Sequence, residues 1–262
     1  TRGRGTTLNS YVLMDPKGSG QACLVDLPDS SDSTLFFDKL GGLGGCGWVN
    51  TLMLTYFDED RWNALERLAT FPRLAPLEVY CGTYCALSIE KLVAERPELK
   101  GLMNINRVIR SGSTLRLFGG SRVVHLILTA TPKFPESVCI FDDHSAMMMT
   151  GKFFSAHRAV PDGDPRDTAQ GGWEALEADW HHCFDAYFYS DRATRALRKL
   201  KGYMHPSCPT RAKMIAPLHG PVAELNAVKL SDEYDKWITE KLQALEGGEV
   251  AVLYGSAYGK TT

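Results

Sequence analysis

The sequence has no apolar run long enough to span a bilayer. It also has no excess of either charge: 29 Lys and Arg stand against 31 Asp and Glu, a formal net charge of -2. No long basic run recommends nucleic acid as a partner. Cysteines at zinc spacing are lacking too. Cys81 and Cys85 form C-x₃-C rather than C-x₂-C, with no second pair, so no zinc knuckle is expected. The 7 cysteines are odd in number, scattered, and mostly in apolar settings such as ACLVD and VCIFD. That favours reduced thiols in a reducing compartment. Internal repeats and low-complexity segments are absent. What is present is ordinary: 262 residues, 44% hydrophobic and 23% charged, enough for one large globular domain or a domain and a half. The chain opens at Thr1 rather than Met, as expected of an excerpt whose targeting peptide would be missing rather than absent.

Leu52–Arg61 (LMLTYFDEDR) organises the rest. Leu52, Met53 and Leu54 read as a buried strand, and Trp62, Leu65 and Leu68 then repeat at helical spacing. Asp58, Glu59, Asp60 and Arg61 therefore crowd a strand-to-helix turn, where open α/β sheets place their chemistry. An acidic first helical turn favoured by the dipole explains the same carboxylates, and this stretch alone leaves both readings open.

Before it, Thr7–Leu13 and Gln21–Asp26 read as a hairpin around Asp15-Pro16-Lys17-Gly18, and Asp32–Leu40 as a short helix ended by glycines. After it come a strand at Leu77–Cys81 and a helix at Thr83–Glu95 with Leu87, Leu92 and Val93 on one side. Short strands follow at Arg107–Ile109, Thr114–Leu117, Arg122–Thr129, Ser137–Phe141 and Ala146–Met149. Pro161–Gly172 is a polar loop. One long helix carries Trp173, Leu176, Trp180, Phe184 and Tyr187 and a cationic end at Arg192–Lys201. Met214–Ala216 is a strand and Asp232–Leu245 an amphipathic helix; Gly247-Gly248 breaks it and Val250–Tyr254 starts a new strand. The order suits an α/β (α+β) class, two mixed sheets packed face to face with helices outside.

Four separated segments then fall into one pattern: Leu54–Arg61, Thr131–Ser137 (TPKFPES), Met149–His157 (MTGKFFSAH) and Pro217–Val222 (PLHGPV). In that order and spacing they resemble the metallo-β-lactamase-like domain of flavodiiron proteins (A-type flavoproteins), as does the opening TTLNSY. The resemblance implies a four-layer αβ/βα sandwich over residues 1–246. In Val250–Thr262 it implies the first strand of a flavodoxin-like FMN domain at 249–262, with Ser256, Tyr258, Gly259 and Thr261 in a partial phosphate loop. Gly259-Lys260-Thr261 is not a Walker loop, because position 254 is Tyr where that motif needs Gly.

The family's motifs hold two irons that reduce oxygen or nitric oxide. Carried over, its first His falls on Tyr56, its Glu on Asp58, its Asp on Asp60 and its closing His on Arg61. Its second-motif His falls on Lys133 and its third-motif Asp on Lys152; only His219 is kept beside Asp60. Lys and Arg offer no lone pair at neutral pH. The expectation is a degenerate, metal-free pocket, with Asp58, Asp60 and His219 as the residual candidate ligands. Arg61, Lys133 and Lys152 would fill the space of the irons and bridge to Asp58 and Asp60, three formal positives against two negatives. His157 falls where the family often has His but is not read as a ligand. His125, His144, His181, His182 and His205 read as satisfied or solvated imidazoles.

Such ligand loss resembles the photosynthetic branch of the family, from cyanobacteria and chloroplasts. It implies a component of an oxidoreductase reducing oxygen to water through FMN. That component would work head-to-tail, in a homo- or hetero-oligomer, with a ligand-complete flavodiiron protein. Electrons would come from NAD(P)H or ferredoxin, in the chloroplast stroma or a cyanobacterial cytoplasm. The alternatives are a non-catalytic scaffold of such a complex and a metal-dependent hydrolase of the lactamase-like superfamily; the missing His-x-His-x-Asp-His opposes the hydrolase.

Overall fold

The structure is a computed structural model, described here for residues 7–160, 163–187 and 190–246. Its first sheet runs in the order β1 (Tyr11–Met14), β2 (Ala22–Val25), β3 (Val49–Leu54), β4 (Leu77–Gly82), β5 (Met103–Val108). Only β1 and β2 are antiparallel; β2 to β5 pair in parallel. The second sheet runs β10 (Met214–Pro217), β9 (Met147–Gly151), β8 (Val138–Asp142), β7 (Arg122–Leu128), β6 (Ser113–Leu117). It is antiparallel except where β10 pairs with β9.

Strand alternation builds the layers. Leu52 and Leu54 of β3 turn outward with Leu24, Val79 and Cys81, under α1 (Ser33–Gly42), α2 (Trp62–Thr70) and α3 (Thr83–Glu95). Met53 turns the other way, into a core between the sheets with Cys23, Val25, Leu126, Ile140 and Met149. On the outer side of the second sheet, Ile127, Phe141 and Met148 pack beneath α4 (Gly172–Tyr187), α5 (Asp191–Met204) and α6 (Ala227–Glu246). Three cores between four layers give the expected αβ/βα sandwich.

Several expectations need correction. The long helix after the polar loop is two: Ser190 has extended backbone and its Oγ accepts from Ala193 N at 3.2 Å, capping α5. On α3 the buried face is Cys85, Ala86, Ile89 and Leu92, whereas Leu87 is exposed. β5 begins at Met103, ahead of the expected Arg107, because an edge strand with Asn104 and Asn106 outside lacks the apolar signal. The last helix starts at Ala227 rather than Asp232. The strand expected at Val250–Tyr254 and the loop residues Ser256, Tyr258, Gly259 and Thr261 lie outside the described residues.

Candidate functional site

The ends of β2, β3, β9 and β10 converge on one pocket. Asp26, just past β2, sits at φ 62° and receives Thr55 N at 2.8 Å and Thr55 Oγ1 at 2.6 Å. Burial pushes this carboxyl up to about 6, against the pull of the Thr55 hydrogen bonds and the Arg61 charge. Opposite, Gly151 ends β9 at φ 59°; a Cβ there would stand 2.7 Å from Thr55 Oγ1. Only glycine lets the two strand exits approach so closely.

Past Thr55 the chain enters the charged turn. The Tyr56 hydroxyl donates to Asp58 Oδ2 at 2.8 Å. Arg61 is 2% exposed and points inward. Its Nη1 donates to Asp58 at 2.7 Å, its Nη2 meets Asp29 at 2.6 Å, and its Nε donates to the Leu27 carbonyl at 3.2 Å. The guanidinium also lies 4.9 Å from the Tyr56 ring centre. Burial opposes its charge, but Asp58 and Asp29 raise its pKa above the ordinary value.

Lys152 follows Gly151 into the same space. Its Nζ is 2.9 Å from His219 Nε2 and 4.5 Å from the Tyr56 ring centre. Phe134 packs edge-on to Tyr56 with centroids 5.6 Å apart. Burial, then the Arg61 charge, brings the Lys152 ammonium down to about 8. His219 is fixed from both sides: Leu218 N donates to the Gly151 carbonyl at 2.7 Å, and Ala156 N to the His219 carbonyl at 3.0 Å. Burial and the Lys152 charge depress its imidazole to about 2. A neutral imidazole with its Nε2 lone pair facing an ammonium is the consistent assignment. His157 stands edge-on to His219 at 5.7 Å, its pKa lowered by burial and by Lys152.

Of the seven residues expected here, five meet: Tyr56, Asp58, Arg61, Lys152 and His219. Asp60 does not. It is exposed, and its contribution is its backbone carbonyl, which accepts from Ser30 Oγ at 2.5 Å. Lys133 is exposed as well, while its neighbour Phe134 is the residue that reaches the pocket. The expected three-to-two charge count becomes two cations, Arg61 and Lys152, with two paired carboxylates, Asp58 and Asp29. Sequence reasoning missed Asp26, Asp29 and Glu136. The first two end and follow the strand CLVD, a signal that was available. Glu136 lies in the TPKFPES segment; burial and the Asp58 charge raise its pKa, and the Lys152 charge opposes them.

No family model matches the chain. It is 29% identical over 262 residues to a protein named as a diflavin flavoprotein A 3 of Synechocystis, covering 99% of this chain and 40% of that one. The metal-soaked Flv1 flavodiiron core from Synechocystis superposes with a TM-score of 0.75 at 26% identity, covering 90% of this chain and 54% of that one. This chain is a relative of the flavodiiron proteins. Rubredoxin oxygen:oxidoreductase from Desulfovibrio gigas shares the fold, with a TM-score of 0.72 at 17% identity over 90% of this chain and 55% of that one. The two sheets and their flanking helices are thus the metallo-β-lactamase-like fold of flavodiiron cores. The chain spans about two fifths of the length of the curated relatives it matches.

A flavodiiron core implies two irons, and the donor set here does not fit them. Two metals ask for several imidazoles and carboxylates. In the pocket Asp58 is committed to Tyr56 and Arg61, and the His219 lone pair to Lys152. Among the described residues, no group of three His, Cys, Asp or Glu side chains is placed to hold a metal ion.

Proposed function

We propose that this chain is the lactamase-like core of a flavodiiron-type oxidoreductase component whose own metal pocket is sealed by cations. The observation that carries this reading is the Lys152–His219 contact of 2.9 Å, which places an ammonium on the one imidazole the relatives' motif retains. Residues 1–246 form this domain and 249–262 begin the FMN domain that supplies electrons in the whole protein. A ligand-complete flavodiiron partner, docked head-to-tail, carries out oxygen reduction to water with electrons from NAD(P)H or ferredoxin. The setting is the chloroplast stroma or a cyanobacterial cytoplasm; the relatives from Synechocystis, Thermosynechococcus and Nostoc support a photosynthetic context.

Two measurements on the full-length protein test this. Metal analysis after growth in iron-replete medium should find far less than one iron per lactamase-like domain; two irons per domain end the proposal. Oxygen consumption with a reduced donor should be absent for the protein alone and appear when a ligand-complete relative is added. The filled pocket equally favours a scaffold that never passes electrons. Bleaching of this protein's own FMN during turnover of the mixture supports the oxidoreductase role, and a silent flavin supports the scaffold. A metal-dependent hydrolase gains nothing from a pocket in which Arg61 and Lys152 occupy the available donors.

A further inference from the structure

The helices outside the second sheet carry opposite charge on their two flanks. α6 lies in the middle. It meets α4 through ring contacts, Trp237 with His181 at 4.7 Å and Tyr234 with Phe184 at 5.3 Å between centroids. It meets α5 through Lys201, which reaches Asp232 at 2.9 Å and Asp235 at 3.1 Å. α5 turns Ala193, Ala196, Leu197, Leu200 and Met204 into the core and leaves Arg192, Arg195, Arg198 and Lys199 exposed. Its single carboxylate, Asp191, pairs with Arg195 at 2.7 Å. On the opposite flank α4 leaves Glu174 and Glu177 exposed, while Asp185 is taken up by Lys241 at 2.9 Å. Among the described residues, Glu174, Glu177, Arg192 and Arg198 form no ion pair.

Charge and size both point to the occupant of this face. Along the outer side of α6, Val228, Asp232, Lys236 and Thr239 follow at helical spacing, all exposed and with no net formal charge. A two-fold axis through α6 therefore sets the basic α5 of each copy over the acidic α4 of the other, with balanced charge at the centre. Three helices about 20–30 Å long and about 10 Å apart offer roughly 600 Å² per copy, at the low end of specific interfaces. A membrane is a poorer match, because every aliphatic side chain of α5 longer than alanine faces the core and none is left to insert.

We propose that this face binds a second copy of the chain in a salt-sensitive, two-fold contact, with Arg195 and Arg198 of each copy meeting Glu174 and Glu177 of the other. Tyr56, Asp58, Arg61, Lys152 and His219 all lie outside the three helices, so the contact is separate from the charged pocket. It is also separate from the head-to-tail docking proposed above, which it would double rather than replace. The proposal does not depend on the oxidoreductase reading.

Sedimentation velocity of the full-length protein in about 50 mM and about 500 mM sodium chloride tests it. The mass should double at low salt relative to high salt, with the association constant falling about tenfold or more between them. Arg195→Glu/Arg198→Glu makes both flanks acidic, and Glu174→Arg/Glu177→Arg makes both basic; neither variant should double alone. Mixed in equal amounts, the two should associate at least as tightly as the parent. All four positions are exposed, and circular dichroism confirms that each variant is folded. Should either unfold, carbodiimide coupling in a mixture of isotope-labelled and unlabelled parent decides: a bond from Lys199 of one copy to Glu174 or Glu177 of the other supports the contact, and its absence overturns it. A mass that does not change with salt, or variants that stay apart when mixed, overturns the contact. Loss of doubling in the α5 variant alone overturns the α4 assignment and gives the basic flank to a different acidic protein. Pelleting of the parent with phosphatidylglycerol vesicles, without doubling, overturns it in favour of a membrane.

Discussion

Replacing Lys152 by Met should change how stability depends on pH, by an amount that follows from the structure. The ammonium is held against the Tyr56 ring and the His219 lone pair, and its pKa falls from 10.5 to about 8. The unfolded chain keeps this proton up to 10.5, while the folded chain releases it near 8. Between those values the unfolded state binds more protons, so stability rises with pH. At lower pH the fold carries the full cost of a buried ammonium. Integrated from pH 7 to pH 10, the relief is about 2.5 kcal/mol, taking about 1.4 kcal/mol per pKa unit. Methionine has a similar length and no proton to lose. The lost donor to His219 shifts the variant by a constant that does not vary over this range. The difference in unfolding free energy between parent and Lys152→Met should therefore move in the parent's favour by about 2.5 kcal/mol across that interval. Urea unfolding at pH 7, 8, 9 and 10 under reducing conditions measures it, provided the m-values agree. A gap that stays constant within about 0.5 kcal/mol refutes the assignment of a buried, charged Lys152.

Three further perturbations probe the same pocket. Arg61→Leu should cost about 2–3 kcal/mol in urea unfolding, less than for a fully buried pair, because the side chains of Asp58 and Asp29 are 33% and 41% exposed and can rehydrate; a loss under about 0.5 kcal/mol would place the guanidinium in solvent. His219→Gln should flatten the acid side of the stability profile. The native imidazole titrates near 2 and the unfolded one near 6.5, so the parent loses stability as pH falls below 6.5 and the variant lacks that loss; parallel acid limbs would count against it. Gly82→Ala puts a methyl 2.2 Å from the Glu136 carbonyl oxygen and should lower stability by about 1–3 kcal/mol, read as a fall in Tm, with an unchanged Tm showing that the Glu136 loop yields.

Much of this was legible in the chain because its signals are local. Leu52-Met53-Leu54 gave β3 as a buried strand; that Met53 turns into the inter-sheet core while its neighbours turn outward is not readable from three apolar residues in a row. The hairpin at Asp15 holds because that carboxylate accepts from Lys17 N at 3.0 Å and Ser19 N at 3.2 Å, as an Asp-Pro turn predicts. β5 was under-read for the opposite reason: Asn104 and Asn106 bond Glu78 across the sheet at 2.6 and 2.9 Å, a cross-strand polar ladder that no local pattern announces. The motifs also placed Tyr56, Asp58, Arg61, Lys152 and His219 together from segments far apart in the chain. They misplaced Asp60 and Lys133, since motif order fixes where a residue stands but not which way its side chain turns.

The turn itself explains Asp60. Residues 59–61 form a 3₁₀ turn closed by Arg61 N donating to the Asp58 carbonyl at 3.1 Å, and in such a turn positions three apart lie over one another. Asp58 and Arg61 therefore share one side, and Asp60 must take another. Ser30 holds the Asp60 carbonyl on the outer side and completes the separation. Once an arginine occupies the inward position at 61, the carboxylate that follows it is Asp58, and Asp29 from the β2 exit supplies the second. Lys152 meets a different solution, with no carboxylate among the described residues in ion-pair contact: a neutral imidazole accepts its hydrogen bond, and the Tyr56 ring covers its charge. The two cations share the Tyr56 ring but have different polar partners, carboxylates for Arg61 and an imidazole for Lys152, which lets both lie in one small space despite their mutual repulsion. A metal entering this pocket would have to break both arrangements together, exposing Arg61 and Lys152 to uncompensated burial before its first two bonds formed.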